Sequence, residues 1–113
     1  MKFIVSKFSK KELSGIAKER FGDMVKAVVD IELGVIVAGG ELHADEEAML
    51  LERGSKQENL WGINIYVDKP NNEMIEFDSM INIRPRQNNR SRDVLDPEVR
   101  KKITAIVNNL VEQ

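Results

Sequence analysis

The sequence contains no cysteine and only one histidine, His43. Without cysteine the chain has no disulfide framework, no thiolate metal site and no thiol nucleophile. His43 is therefore the only imidazole available as a metal ligand or as a base. The sequence also has no P-loop, G-x-G-x-x-G, G-x-S-x-G or H-E-x-x-H motif, so the usual nucleotide-binding, hydrolase and protease signatures are missing.

Long apolar runs are also missing from the chain. Near the amino terminus, Phe3-Ile4-Val5 is followed at once by Ser6 and Lys7, so neither a signal-peptide core nor a membrane span is predicted there. The 113 residues are 42% hydrophobic and 32% charged, which is typical of one folded domain. We expect a single cytoplasmic domain over residues 1–113.

The periodicity of the apolar residues predicts an α+β fold with the element order βαββαββα. We expect an antiparallel sheet of four to five strands and about three helices, with the helices on one face. The predicted elements are a strand at 2–6, a helix from the Ser9–Glu12 capping box to Gly22, two strands within 24–38, a helix capped by Ala44 or Asp45 that ends near Arg53, a hairpin of strands 60–68 and 74–84, and a last helix after Asp96-Pro97.

One side of the predicted hairpin is polar. A turn centred on Asn71 would pair Tyr66 with Glu76 and Asn64 with Asp78, and Asn82 and Arg84 would continue the row. Glu76 and Asp78 are then candidate acid–base groups, and the amides and the phenol are candidate ligand-binding groups. Oxygen ligands of this kind also suit a divalent metal such as Mg²⁺ or Mn²⁺. The alternative is a plain solvent-facing strand, since outer faces of antiparallel sheets are usually polar.

A second candidate site follows the glycine pair Gly39-Gly40. If the backbone is extended there, Glu41, His43 and Asp45 lie on one side and form a carboxylate-rich metal set that suits Mg²⁺ or Mn²⁺ better than zinc. The alternative is that Asp45 caps a helix, Glu41 is solvated and His43 is a hydrogen-bonded boundary residue.

The third candidate is the segment 82–92, which has four arginines and no acidic residue. Arginine forks and amides bind phosphates and nucleotide edges, so a phosphorylated small molecule or RNA is the expected partner. From 84 to 102 there are seven basic residues against three acidic ones, although the whole chain has a net charge of -2. In the alternative, these arginines pair with the acidic segment 41–52. The candidate ligand-binding residues are Asn82, Arg84, Arg86, Asn89 and Arg90.

Three stretches of the chain resemble a family of small bacterial and archaeal proteins described only as a domain of unknown function. They are 39–45, which reads Gly-Gly-Glu-Leu-His-Ala-Asp, then Gly54-Ser55-Lys56-Gln57 with 60–66, and 75–91. The resemblance covers nearly the whole chain. It implies a free-standing small domain and brings with it no activity, ligand or catalytic residue.

Three functional hypotheses follow from these residues. The favoured one is a binding module for an anionic ligand at 82–92. The second is a small hydrolytic enzyme, metal- or carboxylate-dependent, that uses Glu76 and Asp78 together with His43 and Asp45. The third is a structural role, in which an edge strand or the last helix mediates homodimerisation.

Overall fold

The computed structural model describes residues 1–112, which form three α-helices and seven strands. The predicted α+β class is confirmed, as are its three helices and its five-stranded antiparallel sheet. Within these residues no helix is both long and apolar enough to span a bilayer. The elements are β1 (Lys2–Ile4), β2 (Phe8–Ser9), α1 (Lys10–Arg20), β3 (Met24–Asp30), β4 (Val35–Ala38), α2 (His43–Glu52), β5 (Leu60–Tyr66), β6 (Ile75–Glu76), α3 (Pro97–Leu110) and β7 (Val111–Glu112).

The main sheet has the strand order β1-β4-β3-β5-β6, with β3 at its centre. β3 pairs with β5 along its whole length, from Met24 opposite Tyr66 to Asp30 opposite Leu60. A separate ladder, absent from the prediction, joins β2 to β7 in parallel and places Phe8 beside Val111. This ladder fastens the start of α1 to the end of α3.

Helices cover both faces of the sheet, so the prediction of helices on one face is wrong. Helices α1 and α3 share one apolar cluster with the sheet, which includes Leu13 and Ile103. On the opposite face Leu50 of α2 packs against Val28 and Val37. The reason is that β3 and β4 carry apolar side chains on both of their faces, which is the pattern of strands buried on two sides.

Local capping signals correctly placed two of the three helices. The Ser9 hydroxyl accepts a hydrogen bond from the Glu12 N–H at 3.0 Å, and Asp96 accepts one from the Glu98 N–H at 2.9 Å. The prediction that Ala44 or Asp45 caps α2 is wrong. The capping position is Leu42, which provides no side-chain hydrogen bond, and the helix already begins at His43.

The second strand of the predicted hairpin is much shorter than expected. β6 contains only Ile75 and Glu76, and the prediction of a strand through Arg84 is wrong. The observed register places Asn64 opposite Glu76, two residues away from the predicted pairing. Because strand side chains alternate with a period of two, this shift leaves Asn64 and Glu76 on the same face.

The chain leaves strand geometry after Glu76 because its next apolar side chains pack on opposite sides of the sheet. Phe77 contacts the cluster under α1 and α3, whereas Ile81 contacts the cluster under α2. Between them Ser79 accepts a hydrogen bond from the Ile81 N–H and begins a 3₁₀ turn at Met80–Asn82. The alternating pattern in the sequence is therefore not the pattern of one strand.

Candidate functional site

A cleft of about 390 Å³ lies between the amino end of α2 and the edge of the sheet at β5 and β6. We call it the His43 cleft. Four of its polar residues are site candidates from the sequence, where they belong to two separate patterns that only the hydrolytic hypothesis joins. The structure brings both groups together and adds a lysine and an arginine. The polar lining consists chiefly of Lys26, His43, Asn64, Glu76, Asp78 and Arg92.

The floor of the His43 cleft is a row of three side chains on adjacent strands. Lys26 of β3 is opposite Asn64 of β5, and Asn64 is opposite Glu76 of β6. Directly opposed residues share a face of the sheet, so an ammonium, an amide and a carboxylate follow one another under α2. Lys26 was missed because the pairing of β3 with β5 spans a helix and is not encoded locally.

Asn64 is the most deeply placed polar group of the floor, with only 6% of its surface exposed. Its Nδ2 donates to Glu76 Oε1 at 2.8 Å and to the Asp78 carbonyl oxygen at 3.3 Å. Its Oδ1 is buried and has no hydrogen-bond partner in residues 1–112. If the amide were flipped, Oδ1 would face the Glu76 carboxylate and the two acceptors would repel each other, so the side chain has Nδ2 on the Glu76 side.

His43 closes the cleft from the first turn of α2. Its Nε2 lies 2.8 Å from the Ile63 carbonyl oxygen. A carbonyl only accepts hydrogen bonds, so Nε2 carries the proton and Nδ1 is the basic nitrogen of the ring. Burial lowers the pKa of His43, with a further lowering by the Lys26 charge, and the contacts with Ile63, Asn64 and Asp78 oppose this only in part. The imidazole is therefore neutral at neutral pH.

Two carboxylates complete the cleft on the side of β6. Glu76 Oε1 accepts from the Asn64 amide and also from the Tyr66 hydroxyl at 3.3 Å. Partial burial and the neighbouring Glu76 raise the pKa of Tyr66, so it stays a phenol and a donor. Asp78 Oδ1 forms an exposed ion pair with Arg92 Nε at 2.6 Å. The alternative of a plain solvent-facing strand holds for Glu76, which is exposed, but not for Asn64, which is buried beside His43 at the amino end of α2.

The predicted metal set is not assembled. Glu41 forms an ion pair with Arg20 at 2.7 Å, Asp45 is exposed on α2, and His43 is turned towards β5. In the part of the chain that the structure describes, no group of three or more His, Cys, Asp and Glu side chains is arranged to hold a metal ion. The extended backbone that this metal set requires is not observed, since α2 begins at His43, and Glu41 and Asp45 line a different cleft from His43.

A larger cleft of about 500 Å³ lies beside Arg20, Glu41 and Glu52. This cleft is more open to solvent than the His43 cleft, and the ion pair between Arg20 and Glu41 at its edge is exposed. Behind it Glu46 is fully buried, accepts a hydrogen bond from the Gly40 N–H at 3.0 Å and has its Oε1 without a partner in residues 1–112. Burial raises the pKa of Glu46 to about 8. Sequence reasoning did not select this residue.

Two asparagines of the 82–92 segment hold the segment itself together. The Asn82 side chain is fully buried and bonds to both backbone groups of Gly62. Asn89 Nδ2 donates to the carbonyl oxygens of Asn82 at 2.7 Å and Asp93 at 2.8 Å, and its Oδ1 accepts from the Leu95 N–H at 2.9 Å. Their hydrogen-bonding capacity is used within the chain.

The arginines of this segment divide into anchored and free side chains. The Arg84 guanidinium lies 4.1 Å from the centre of the Trp61 ring and donates to the carbonyl oxygens of Leu60, at 2.6 Å, and Gln57. Arg86 and Arg90 are exposed and form no ion pair with any described residue. The alternative in which these arginines pair with the acidic segment 41–52 is therefore not observed in residues 1–112.

A family model matches residues 2–110, and its description reads "Protein of unknown function (DUF5674)". The chain belongs to this family. Membership in DUF5674 confirms the resemblance of the sequence to a domain of unknown function and covers almost all of the fold described above. No curated protein and no solved structure matches the chain. For this DUF5674 protein, function must therefore be inferred from the geometry of the site.

Proposed function

We propose that the protein binds a small polar molecule in the His43 cleft. The observation that carries this proposal is the buried Oδ1 of Asn64, which has no partner in residues 1–112. Leaving a buried polar atom unpaired costs about 1–3 kcal/mol, and a ligand that donates a hydrogen bond to it would recover that energy. Most buried polar atoms in proteins have a partner, so an unpaired one in a residue that lines a cleft favours a molecule that donates to it there.

Proton transfer is the chemistry that this cleft would supply to a bound molecule. A neutral His43 has Nδ1 free to accept a proton, and its ring is oriented by the Ile63 carbonyl group. Glu76 lies in the same cleft as a second acceptor, while Lys26 is a donor. Of the residues in the hydrolytic hypothesis, His43, Glu76 and Asp78 come together, and Asp45 is on the exposed side of α2.

The test uses the single histidine as a reporter. The His43 imidazole resonances would be followed by NMR while a panel of small polar compounds is added, because no other histidine contributes to the spectrum. We expect at least one compound to shift these resonances in a saturable way. Lys26→Met and Glu76→Gln should weaken that binding at least tenfold. The matched variants Lys18→Met and Glu73→Gln, on exposed surface outside the cleft, should not. A panel that leaves His43 unmoved counts against the proposal.

A second candidate function is anion binding by the 82–92 segment. It is favoured by the way in which Asn82, Asn89 and Arg84 fix the segment, since Arg86 and Arg90 are then presented on a rigid support without intramolecular ion pairs. Preorganised arginine donors bind phosphate oxygens more effectively than those of a disordered tail.

Inorganic pyrophosphate and a short single-stranded RNA would test this second function at low and moderate salt. Affinity should fall as salt rises and should fall again in the double variant Arg86→Ala/Arg90→Ala. The double variant Lys11→Ala/Lys18→Ala removes the same charge from exposed positions of α1 and is the control. Equal losses in the two double variants would point to bulk charge and reject a site at the segment.

Self-association through a sheet edge has weaker support. The outer strands β1 and β6 contain only three and two residues, so they offer little backbone for pairing with a second copy. Homodimerisation and a cytoplasmic location stay predictions.

A further inference from the structure

The charges that line the His43 cleft balance one another. Lys26 and Arg92 are cationic, and Glu76 and Asp78 are anionic. Arg92 and Asp78 already neutralise each other in an ion pair. Lys26 forms no ion pair with a described residue, although its ammonium lies 5.5 Å from the centre of the Phe21 ring. The charges without an ion-pair partner are therefore one ammonium and one carboxylate, separated by Asn64 along the floor. A ligand with separated charges and no net charge complements this arrangement better than a simple anion or cation.

The free acceptors of the floor match an ammonium group. Both hydrogen bonds to Glu76 are accepted by Oε1, which leaves Oε2 open. The Asn64 Oδ1 atom is a second acceptor without a partner in residues 1–112, and it is buried below the surface of the cleft. An ammonium has three donors and no acceptor, so it is the group that complements two such oxygens. A carboxylate on the same ligand would then face the Lys26 ammonium at the other end of the row.

The mouth of the cleft is apolar although its floor is polar. Leu42 and Met80 line it with 56% and 64% of their surfaces exposed. Met24 and Ile81 are partly buried beside them. Single exposed apolar residues are common on protein surfaces, but these two flank the same opening. A ligand with an apolar part would cover them, which is favourable by about 25 cal/mol for each Å² removed from water.

Building on the proposed function, we infer that the ligand of the His43 cleft is a zwitterion with an apolar side group, and that a free α-amino acid with an apolar side chain is its chemical class. The ammonium group binds Glu76 and Asn64, the carboxylate binds Lys26, and the side chain lies against Leu42 and Met80. A cleft of about 390 Å³ is at the small end of the range for ligand sites, which suits a molecule of this size.

The test compares L-phenylalanine with three relatives that each lack one feature. Phenethylamine lacks the carboxylate, 3-phenylpropionate lacks the ammonium group, and glycine lacks the apolar side chain. Each would be titrated into the full chain while the His43 resonances and the thermal unfolding midpoint are recorded. L-phenylalanine or L-leucine should bind at least tenfold more tightly than all three relatives.

Matched variants assign each ligand group to its partner. Lys26→Met should reduce the affinity for L-phenylalanine to that for phenethylamine, and Glu76→Gln should reduce it to that for 3-phenylpropionate. Lys18→Met and Glu73→Gln should leave it unchanged. Equal affinities for L-phenylalanine and either single-charge relative overturn the inference. So does binding of other polar compounds without any amino acid, although the proposed function then stands. If no compound moves His43, both fail.

Discussion

The side-chain amide of Asn82 forms the two hydrogen bonds that a strand residue would form with Gly62. Asn82 Oδ1 accepts from the Gly62 N–H at 2.8 Å, and Asn82 Nδ2 donates to the Gly62 carbonyl oxygen at 2.9 Å. One residue pair further along, the Arg84 guanidinium satisfies the Leu60 carbonyl oxygen. The outer edge of β5 is thus paired first by the backbone of β6 and then by two side chains.

Replacement of Asn82 by aspartate should destabilise the protein by about 2–4 kcal/mol, because it removes the donor to Gly62 and buries a carboxylate. The loss would be measured by urea-induced unfolding. Asn72→Asp makes the same chemical change at an exposed position and should alter the stability by no more than about 0.5 kcal/mol. Similar losses in both variants would show that the contact with Gly62 contributes little.

Gly62 itself should tolerate no side chain. A Cβ atom at this position would lie 2.5 Å from Ser79 Cβ. Gly62→Ala should therefore destabilise the protein by about 1–3 kcal/mol. The double variant Gly62→Ala/Ser79→Gly, which also removes the Ser79 side chain, should recover part of this loss. Gly15→Ala is the control, because a Cβ there meets nothing within 4 Å and the position is inside α1. That change should stabilise by about 0.5–1 kcal/mol. Thermal unfolding of the parent and these three variants measures each change in stability.

The fold was predictable where the determining contacts are close in sequence. The capping residues Ser9 and Asp96 act on backbone groups two or three residues away, and their helices were placed correctly. The end of β6 was not predictable, since it depends on the packing of Phe77 and Ile81 on opposite sides of a sheet whose other strands are distant in sequence. The layer arrangement was missed for a similar reason: nothing local to Val28 shows that α2 covers it.

His43 should titrate below its ordinary pKa of 6.5, because burial disfavours the imidazolium. Lys26→Met should raise this pKa by removing a like charge, and Asp78→Asn should lower it further. The pH dependence of the single imidazole resonance gives each value directly. A pKa at or above 6.5 in the native protein would contradict the buried, neutral state.

The lowered pKa of His43 also determines how the stability of the fold depends on pH. As the pH falls below 6.5, His43 is protonated in the unfolded chain, whereas in the folded chain it is protonated only at a lower pH. Stability from this residue should therefore fall as the pH drops from 6.5 towards the pKa of the folded state, and then level off. His43→Gln, compared with Lys18→Met as a control, should flatten that part of the profile.

Glu46 should produce the opposite trend at higher pH. Its pKa is about 8 in the folded protein and ordinarily 4.5, so the folded state keeps a proton that the unfolded state loses. The stability that depends on Glu46 is fully present below pH 4.5 and declines as the pH rises to 8, by about 5 kcal/mol in all. Glu46→Gln should remove this decline and be more stable than the parent at pH 9, whereas exposed Glu52→Gln should not. Parallel pH profiles for parent and Glu46→Gln would refute the assignment.

The components of the site could be predicted, and the hydrolytic hypothesis joined three of them, His43, Glu76 and Asp78, without a geometry that required it. Asn64, Glu76 and Asp78 were selected from the polar side of the predicted hairpin, and His43 was selected for its spacing from Glu41 and Asp45. These residues meet because the amino end of α2 lies next to the sheet face that contains Asn64. The start of α2 at His43 could not be predicted, because no side-chain cap precedes it. Lys26 was not selected, because a single lysine among the apolar residues of β3 is the usual pattern of a side chain that points to solvent.

The ladder between β2 and β7 has a consequence for the order in which the chain folds during synthesis. Phe8 and Ser9 are synthesised before α1, yet their strand partners Val111 and Glu112 are synthesised only after α3. Phe8 and Val111 belong to the same apolar cluster as Leu13, so that cluster stays open while translation proceeds. A nascent chain stalled before α3 would keep this surface available to chaperones, and the cluster would close only once α3 and β7 have been synthesised.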